Sequence, residues 1–151
     1  DDWGLTRIAC TLDAGTTAPI CTVKPMGGNL VYAWNGSAQV STDNGVTFTT
    51  LTNFPLGASY VDFELLPSGR LIVTHDVNGV YYTDDLTSTA IFTLAISTTP
   101  RCVQRLTDRV IVNVDNGAYY SLNNAIDWTF NSTHILGSGT GSMFVDDFTF
   151  L

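Results

Sequence analysis

Basic residues, cysteines and long apolar runs are all scarce in this sequence. Six Lys and Arg stand against fourteen Asp and Glu, which gives a formal charge of −8, and Lys24 is the only lysine. A chain of this charge repels phosphate backbones and anionic membrane surfaces, so we expect no nucleic-acid partner. No run of about 18 apolar residues is present, so we also expect no membrane insertion.

The cysteines indicate neither a metal site nor a complete set of disulfides. Cys10, Cys21 and Cys102 are odd in number, and their spacing fits no zinc pattern. Cys10 and Cys21 flank a predicted turn, so they either face each other across a hairpin or are buried as small apolar residues. We therefore predict no metal and no cofactor.

Charged residues are also few, at 13% of the chain, whereas Thr, Ser, Asn and Gly are abundant. This composition is typical of secreted proteins and virion components. The start, Asp1-Asp2-Trp3-Gly4, lacks the basic and apolar parts of a signal peptide and an initiator Met, which favours processing or excision from a longer chain.

What the sequence does contain is an internal repeat of about 40 residues. The segment Arg70–Thr83 aligns with Arg109–Ser121 when one residue is deleted, and a looser copy runs from Asn29 to Ser41. Each copy consists of a strand, an Asn-Gly pair and a second strand. Asn-Gly pairs of this kind predict type I′ hairpin turns, in which both turn residues have positive φ.

Two further strands complete each repeat. One follows the second strand, at 47–51, 90–96 and 127–133, and another precedes the first strand, at 60–66 and 101–106. Four-stranded meanders recurring at this period predict an all-β fold of about three antiparallel blades of β-propeller type. Residues 1–151 then form a single domain of repeats at 1–28 (partial), 29–58, 59–99, 100–140 and 141–151 (partial). Because closed propellers usually need at least four blades, we expect an incomplete propeller or part of an assembly.

The turn that follows the second strand carries a recognisable motif. In the first copy it reads Ser41-Thr-Asp43-Asn-Gly45-Val-Thr47-Phe48, which resembles the Asp-box (BNR) repeat of sialidase-like β-propellers. Degenerate versions run from Thr83 to Phe92 and from Ser121 to Trp128, and a fourth candidate, Thr11–Ala18, ends without the aromatic residue. The resemblance implies structural roles, not catalytic or metal-binding ones, for Ser41, Asp43, Gly45, Thr47, Phe48, Asp85, Ser121, Asn123 and Trp128.

The resemblance does not extend to sialidase chemistry. Enzymes of that kind clamp the substrate carboxylate with three arginines and use a Tyr nucleophile helped by Glu. Here Arg70 and Arg109 occupy the same repeat position, which is typical of framework residues, and Glu64 is the only glutamate. The two histidines, His75 and His134, are not accompanied by a nucleophile elbow. We therefore predict no catalytic residues.

Two tyrosine pairs recur at one place in consecutive repeats, Tyr81-Tyr82 and Tyr119-Tyr120. Adjacent strand residues face opposite sides of a sheet, so one tyrosine of each pair should pack between blades. The others either form an exposed ladder that stacks on sugar rings or are buried as well. All four are candidate glycan-stacking residues.

These observations predict a non-enzymatic module that serves structure or recognises a glycan-bearing surface in an extracellular or virion assembly, such as a phage tail. The alternative is a fragment of a sialidase-like glycoside hydrolase whose catalytic blades lie elsewhere. The segment Phe144–Phe150 resembles Tyr60–Phe63, which opens a blade, so the expected partners are other protein chains or copies of this one, with cell-surface glycan as a candidate ligand.

Overall fold

The computed structural model describes residues 22–58 and 61–132, which form twelve strands in three sheets. The first blade contains β1 (Thr22–Pro25), β2 (Val31–Trp34), β3 (Ala38–Ser41) and β4 (Thr49–Thr50). The second contains β5 (Val61–Leu65), β6 (Leu71–His75), β7 (Gly79–Thr83) and β8 (Thr93–Ile96). The third contains β9 (Pro100–Arg105), β10 (Val110–Val114), β11 (Gly117–Ser121) and β12 (Thr129–Asn131).

Each sheet is an antiparallel meander in which the strand order follows the chain. The predicted all-β fold of about three four-stranded blades is therefore confirmed, and the sheets do not close into a barrel. The described ranges contain no helix, and so none that could cross a membrane. Predictions for Cys10, Cys21, Thr11–Ala18, His134 and Phe144–Phe150 lie outside the described residues.

The blades pack through their first strands. Strand β5 lies against β1 and β2, and β9 lies against β5 and β6, so each first strand covers the inner half of the preceding blade. We call β1, β5 and β9 the inner strands.

Two apolar cores join the blades. The core between the first two blades contains Tyr32, Trp34, Phe54, Phe63 and Val73, and the core between the second and third contains Ile72, Val80, Val103 and Val112. Each large side chain buried in these cores contributes about 1.5–3 kcal/mol.

Strand register decides which neighbour each side chain meets. In the second blade Phe63, Val73 and Tyr81 are cross-strand partners on the face that packs against the first blade. Ile72 and Tyr82 are partners on the opposite face, which packs against the third blade. The alternation of a strand thus supplies both inter-blade cores from one sheet.

The prediction of type I′ turns at the Asn-Gly pairs is wrong. In these pairs only the glycines have positive φ, 97° at Gly36, 129° at Gly79 and 157° at Gly117. Consecutive residues with positive φ occur instead in the following turn, at Asn44-Gly45 (60° and 82°) and Asn124-Ala125 (64° and 60°).

Packing explains the glycine at the start of β7 and β11. A Cβ on Gly79 would collide with the backbone carbonyl oxygen of Ile96 in the outermost strand, and one on Gly117 would collide with that of Asn131. The absence of a side chain at these two glycines therefore allows the outermost strand to approach the backbone closely.

We predict that Gly79→Ala destabilises the protein by about 2–4 kcal/mol, because the new methyl group combines a backbone clash with an unfavourable φ. Gly57→Ala is the matched control: its φ is 93°, but no atom lies within 4 Å of the added Cβ. The control should lose only about 1–2 kcal/mol in urea denaturation, through φ alone. Equal losses would contradict the packing explanation.

Candidate functional site

The Ser41–Phe48 turn is held by its own side chains. The Ser41 hydroxyl accepts hydrogen bonds from the backbone N–H groups of Asp43 (3.3 Å) and Gly45 (2.8 Å) and donates one to Asp43 Oδ1 (2.7 Å). The Asp43 carboxylate accepts two more, from the N–H of Thr47 (2.8 Å) and from its hydroxyl (2.7 Å). These bonds, those of Thr47 foremost, lower the pKa of Asp43 from 3.8 to about 2.

The third-blade turn builds the same arrangement from different residues. Ser121 Oγ accepts from the N–H of Asn123 (3.4 Å) and Ala125 (3.0 Å), and Asn123 Oδ1 accepts from the N–H of Asp127 (3.0 Å). The side-chain bond is reversed, because the Asn123 amide donates to Asp127 Oδ2 (2.8 Å) whereas Asp43 accepts from a hydroxyl. The turn is preserved because the bonds from the backbone N–H groups are the same in both blades, and only this side-chain bond changes direction.

The second-blade turn is longer and binds the first blade. Asp85 Oδ1 accepts from the N–H of Thr87 (2.9 Å), two residues on. The carbonyl oxygens of Ser88 and Thr89 then accept from first-blade groups, the N–H of Thr52 (3.0 Å) and the amide of Asn53 (2.8 Å). The extra length of this copy thus makes a contact between blades.

Aromatic residues at the ends of these turns also reach the blade cores. Phe92 packs against the core of the first two blades, and Trp128 packs against the core of the second and third. Phe48 is half-buried. The turns lie in separate blades, so the structure does not bring the predicted motif residues into a single site.

The four tyrosines are half-buried and face different ways. Tyr82 and Tyr119 both pack against the core between the second and third blades, where the Arg70 guanidinium lies 4.4 Å from the centre of the Tyr82 ring. Tyr81 lies on the face toward the first blade, 6.2 Å from the His75 ring. Only Tyr120 is on a sheet face against which no described strand packs. Glycan stacking stays a prediction, and Tyr120 is placed best for it.

Sequence reasoning missed a charged group at the inner strands, formed by Lys24, Asp62, Glu64 and Arg105, which we call the inner charge cluster. Lys24 Nζ of the first blade lies 2.9 Å from Asp62 Oδ1 and 3.9 Å from Glu64 Oε2 in the second. Arg105 Nε of the third blade lies 3.7 Å from Glu64 Oε1. The signal was available, because Asp62 and Glu64 interrupt an otherwise apolar strand in a chain with few charges.

Asp62 is the most buried member of the cluster, with only 5% of its side chain exposed. Its Oδ1 accepts from the N–H of Phe63 (2.9 Å), and its Oδ2 accepts from the N–H of Val103 (3.1 Å) in the third blade. A single carboxylate therefore contacts all three blades.

Glu64 is the half-buried carboxylate of the cluster. Burial raises the pKa of Glu64, and the charges of Lys24 and Arg105 oppose that shift. The cluster has two cations and two carboxylates, so its charges balance. In the described part of the chain no group of three or more His, Cys, Asp or Glu side chains is placed to hold a metal ion.

A cleft of about 390 Å³ opens beside the cluster, between the second and third blades. Its walls are the turns that precede β6 and β10 and the start of the third-blade motif, and its lining includes Leu66, Arg105, Thr107, Arg109 and Leu122. The Arg109 guanidinium donates two hydrogen bonds, of 2.9 and 2.6 Å, to the carboxylate of the adjacent Asp108. Among the described carboxylates, Arg105 in the cleft contacts that of Glu64, with its Nε 3.7 Å from Oε1.

His75 is fully buried, and its Nδ1 accepts from the N–H groups of Val77 (3.3 Å) and Asn78 (3.2 Å). It therefore holds the loop between β6 and β7.

No protein-family model matches this sequence, and the search of curated proteins gives no significant match.

We predict that Asp62→Ala destabilises the protein by about 2–3 kcal/mol, because it leaves the buried N–H of Val103 without an acceptor and Lys24 without its nearest carboxylate. Asp115→Ala is the matched control, since Asp115 is 54% exposed and pairs with Arg101 at 2.6 Å. That exposed pair should contribute at most about 0.5–1 kcal/mol. Chemical denaturation measures both, and similar losses would refute the bridging role of Asp62.

We also predict that the Asp43 turn makes stability depend on pH in acid. The folded pKa, about 2, lies below the ordinary 3.8, so the ionised carboxylate stabilises the fold fully above about pH 4. This contribution is lost as the pH falls from about 4 to about 2. The melting temperatures of the wild type and of Asp43→Asn should therefore converge as the pH falls through that interval. A constant difference in melting temperature would contradict it.

Proposed function

We propose that this chain is a non-enzymatic structural module of an extracellular or virion assembly, such as a phage tail or surface component. The observation that carries the proposal is the position of Asp62, whose two carboxylate oxygens are bound by Phe63 and Val103 N–H groups and by Lys24. A carboxylate with these three framework partners holds the blades together. The most buried charge of the described residues thus serves the framework.

Arginines that pair with aspartates support the same proposal. Arg70 binds Asp84 through two bonds of 2.8 Å, and Arg101 binds Asp115 through bonds of 2.6 and 3.1 Å. Each pair links separate strands or loops of one blade, and Arg109–Asp108 forms a third pair. Bidentate pairs of this kind use the donors that a substrate carboxylate would need.

Assembly is the role that an open row of blades favours. The second blade packs on both sides, whereas each end blade packs on only one other described blade. Unpaired blade faces and strand edges are commonly covered by other chains or copies. The acidic composition with many Ser, Thr, Asn and Gly supports an extracellular or virion location. Recognition of a glycan-bearing surface, through Tyr120 first, is the accompanying binding hypothesis.

The alternative function is a fragment of a sialidase-like glycoside hydrolase. Two observations favour it: the Ser41–Phe48 turn that resembles an Asp-box, and Glu64, whose pKa is raised by burial beside Arg105. A carboxylic acid with a raised pKa is suited to proton donation. In this alternative the remaining catalytic groups belong to blades outside the chain.

One preparation of the full chain tests the proposed function. Sedimentation at micromolar concentrations should show species heavier than the 16.3 kDa chain, and a fluorogenic sialoside should not be turned over. A 16.3 kDa monomer at every concentration would contradict the assembly role. Sialoside turnover that Glu64→Gln abolishes and Asp115→Ala retains would contradict the non-enzymatic role, because this chain would then carry its own catalytic groups; unfolding curves of both variants exclude a loss of fold.

A further inference from the structure

The sequence contains four Asn-Gly pairs, and asparagine followed by glycine is the dipeptide most prone to intramolecular deamidation. In this reaction the backbone nitrogen of the glycine attacks the side-chain carbonyl carbon of the asparagine. Glycine favours the attack because it has no Cβ and its backbone is the least restricted. All four pairs lie in the described residues: Asn35-Gly36, Asn44-Gly45, Asn78-Gly79 and Asn116-Gly117. Because the dipeptide is the same each time, differences in reactivity must come from the fold.

In three of the pairs the fold fixes the backbone of the glycine. The N–H of Gly45 donates to the Ser41 hydroxyl at 2.8 Å within the motif turn. Gly79 and Gly117 begin β7 and β11, where they pair with the neighbouring strand and pack against the backbone of the outermost one. Attack by any of these three nitrogens therefore requires the turn or the strand to open first.

The Asn35-Gly36 pair is not restrained in this way. It lies in the three-residue turn between Trp34 and Ala38, and both of its residues are exposed. Within residues 22–58 and 61–132 the Gly36 N–H donates to no other group. A Cβ added to Gly36 would meet nothing within 4 Å beyond the adjacent residues. The attacking nitrogen of this pair is thus exposed and unhindered.

Side chains of the same hairpin activate the carbonyl group that is attacked. The Ser37 hydroxyl donates to Asn35 Oδ1 at 3.3 Å, and the Gln39 amide donates to Ser37 Oγ at 3.4 Å. Because Gln39 uses the serine oxygen as an acceptor, the hydroxyl hydrogen is directed to Asn35. Negative charge develops on Oδ1 when the nitrogen attacks, so the hydrogen bond from Ser37 is stronger in the transition state than in the ground state.

We propose that Asn35 is a site of spontaneous deamidation, in which the Gly36 nitrogen displaces the side-chain amide with the help of the Ser37 hydroxyl. The nitrogen forms a bond to the Asn35 side-chain carbon, and the C–N bond of the side-chain amide breaks. Ammonia leaves with the proton that the glycine N–H has lost, and a succinimide ring remains. Water then opens the ring at either carbonyl and gives aspartate or isoaspartate at position 35, without any oxidant or reductant.

Isoaspartate changes the hairpin itself, because the main chain then passes through the former side chain and is longer by one carbon atom. The turn sets the register in which Trp34 pairs with Ala38. These two residues are 4% and 2% exposed and belong to the core between the first two blades. The reaction therefore links an exposed turn to the packing between blades, and it adds a negative charge to a chain that already has −8.

Peptide mapping of the full chain after incubation in mildly alkaline buffer compares the four asparagines in one sample. Asn35 should be lost at least about tenfold faster than each of the others, because their glycines must first leave a hydrogen bond or a packed strand. Isoaspartate should appear at position 35, since direct hydrolysis of the amide gives aspartate alone. The matched control is the same chain unfolded in urea, in which the four rates should converge.

Substitutions at position 37 test the role of the hydroxyl. Ser37→Ala should slow the loss of Asn35 about two- to tenfold, the effect of one hydrogen bond, whereas Ser37→Thr retains the hydroxyl and should retain the rate. Unfolding curves of both variants exclude a change of fold as the cause. Equal loss at all four pairs of the folded chain, faster loss at another pair, or aspartate without isoaspartate would overturn the proposal. A rate unchanged in Ser37→Ala, or slowed equally in Ser37→Thr, would overturn the role of Ser37.

Discussion

The Asp62 carboxylate accepts hydrogen bonds from its own strand and from the inner strand of the third blade, while Lys24 of the first blade neutralises it. Inner strands meet where the sheets converge, so a buried N–H group such as that of Val103 needs an acceptor outside its own ladder. A short acidic side chain meets this need from the neighbouring strand. The stacking of the blades depends on this contact together with the apolar cores beside it.

Side chains also accept backbone N–H groups in the motif turns, which connect the third and fourth strands of each blade. In the first and third blades a serine hydroxyl and the side-chain oxygen of Asp43 or Asn123 accept the N–H groups of a turn whose backbone visits positive φ. In the second blade the turn is longer and its carbonyl oxygens bind the first blade. The motif therefore combines hydrogen bonding of the turn's own backbone with contacts between blades.

Much of the architecture could be predicted because repetition is a property of the chain alone. The recurrence of strand, Asn-Gly pair, strand and polar turn led to three four-stranded meanders, and the structure confirms them. The turn type was wrong, because Gly79 and Gly117 are required by the approach of the outermost strand and not by a type I′ turn. The inner charge cluster was missed, because Lys24, Asp62 and Arg105 come from three different repeats.

The sequence by itself determined the periodicity, the strand order within each blade and the donors and acceptors of each motif turn, since repetition is read along the chain and each hairpin and turn is formed by one continuous segment. The tertiary structure alone decided which blade face each tyrosine occupies and which charges meet at the inner strands. The physical reason is that side chains alternate between the two faces of a strand, and the packing of other sheets decides which face is buried. Burial of Asp62 likewise depends on two other blades and cannot be read from its own repeat.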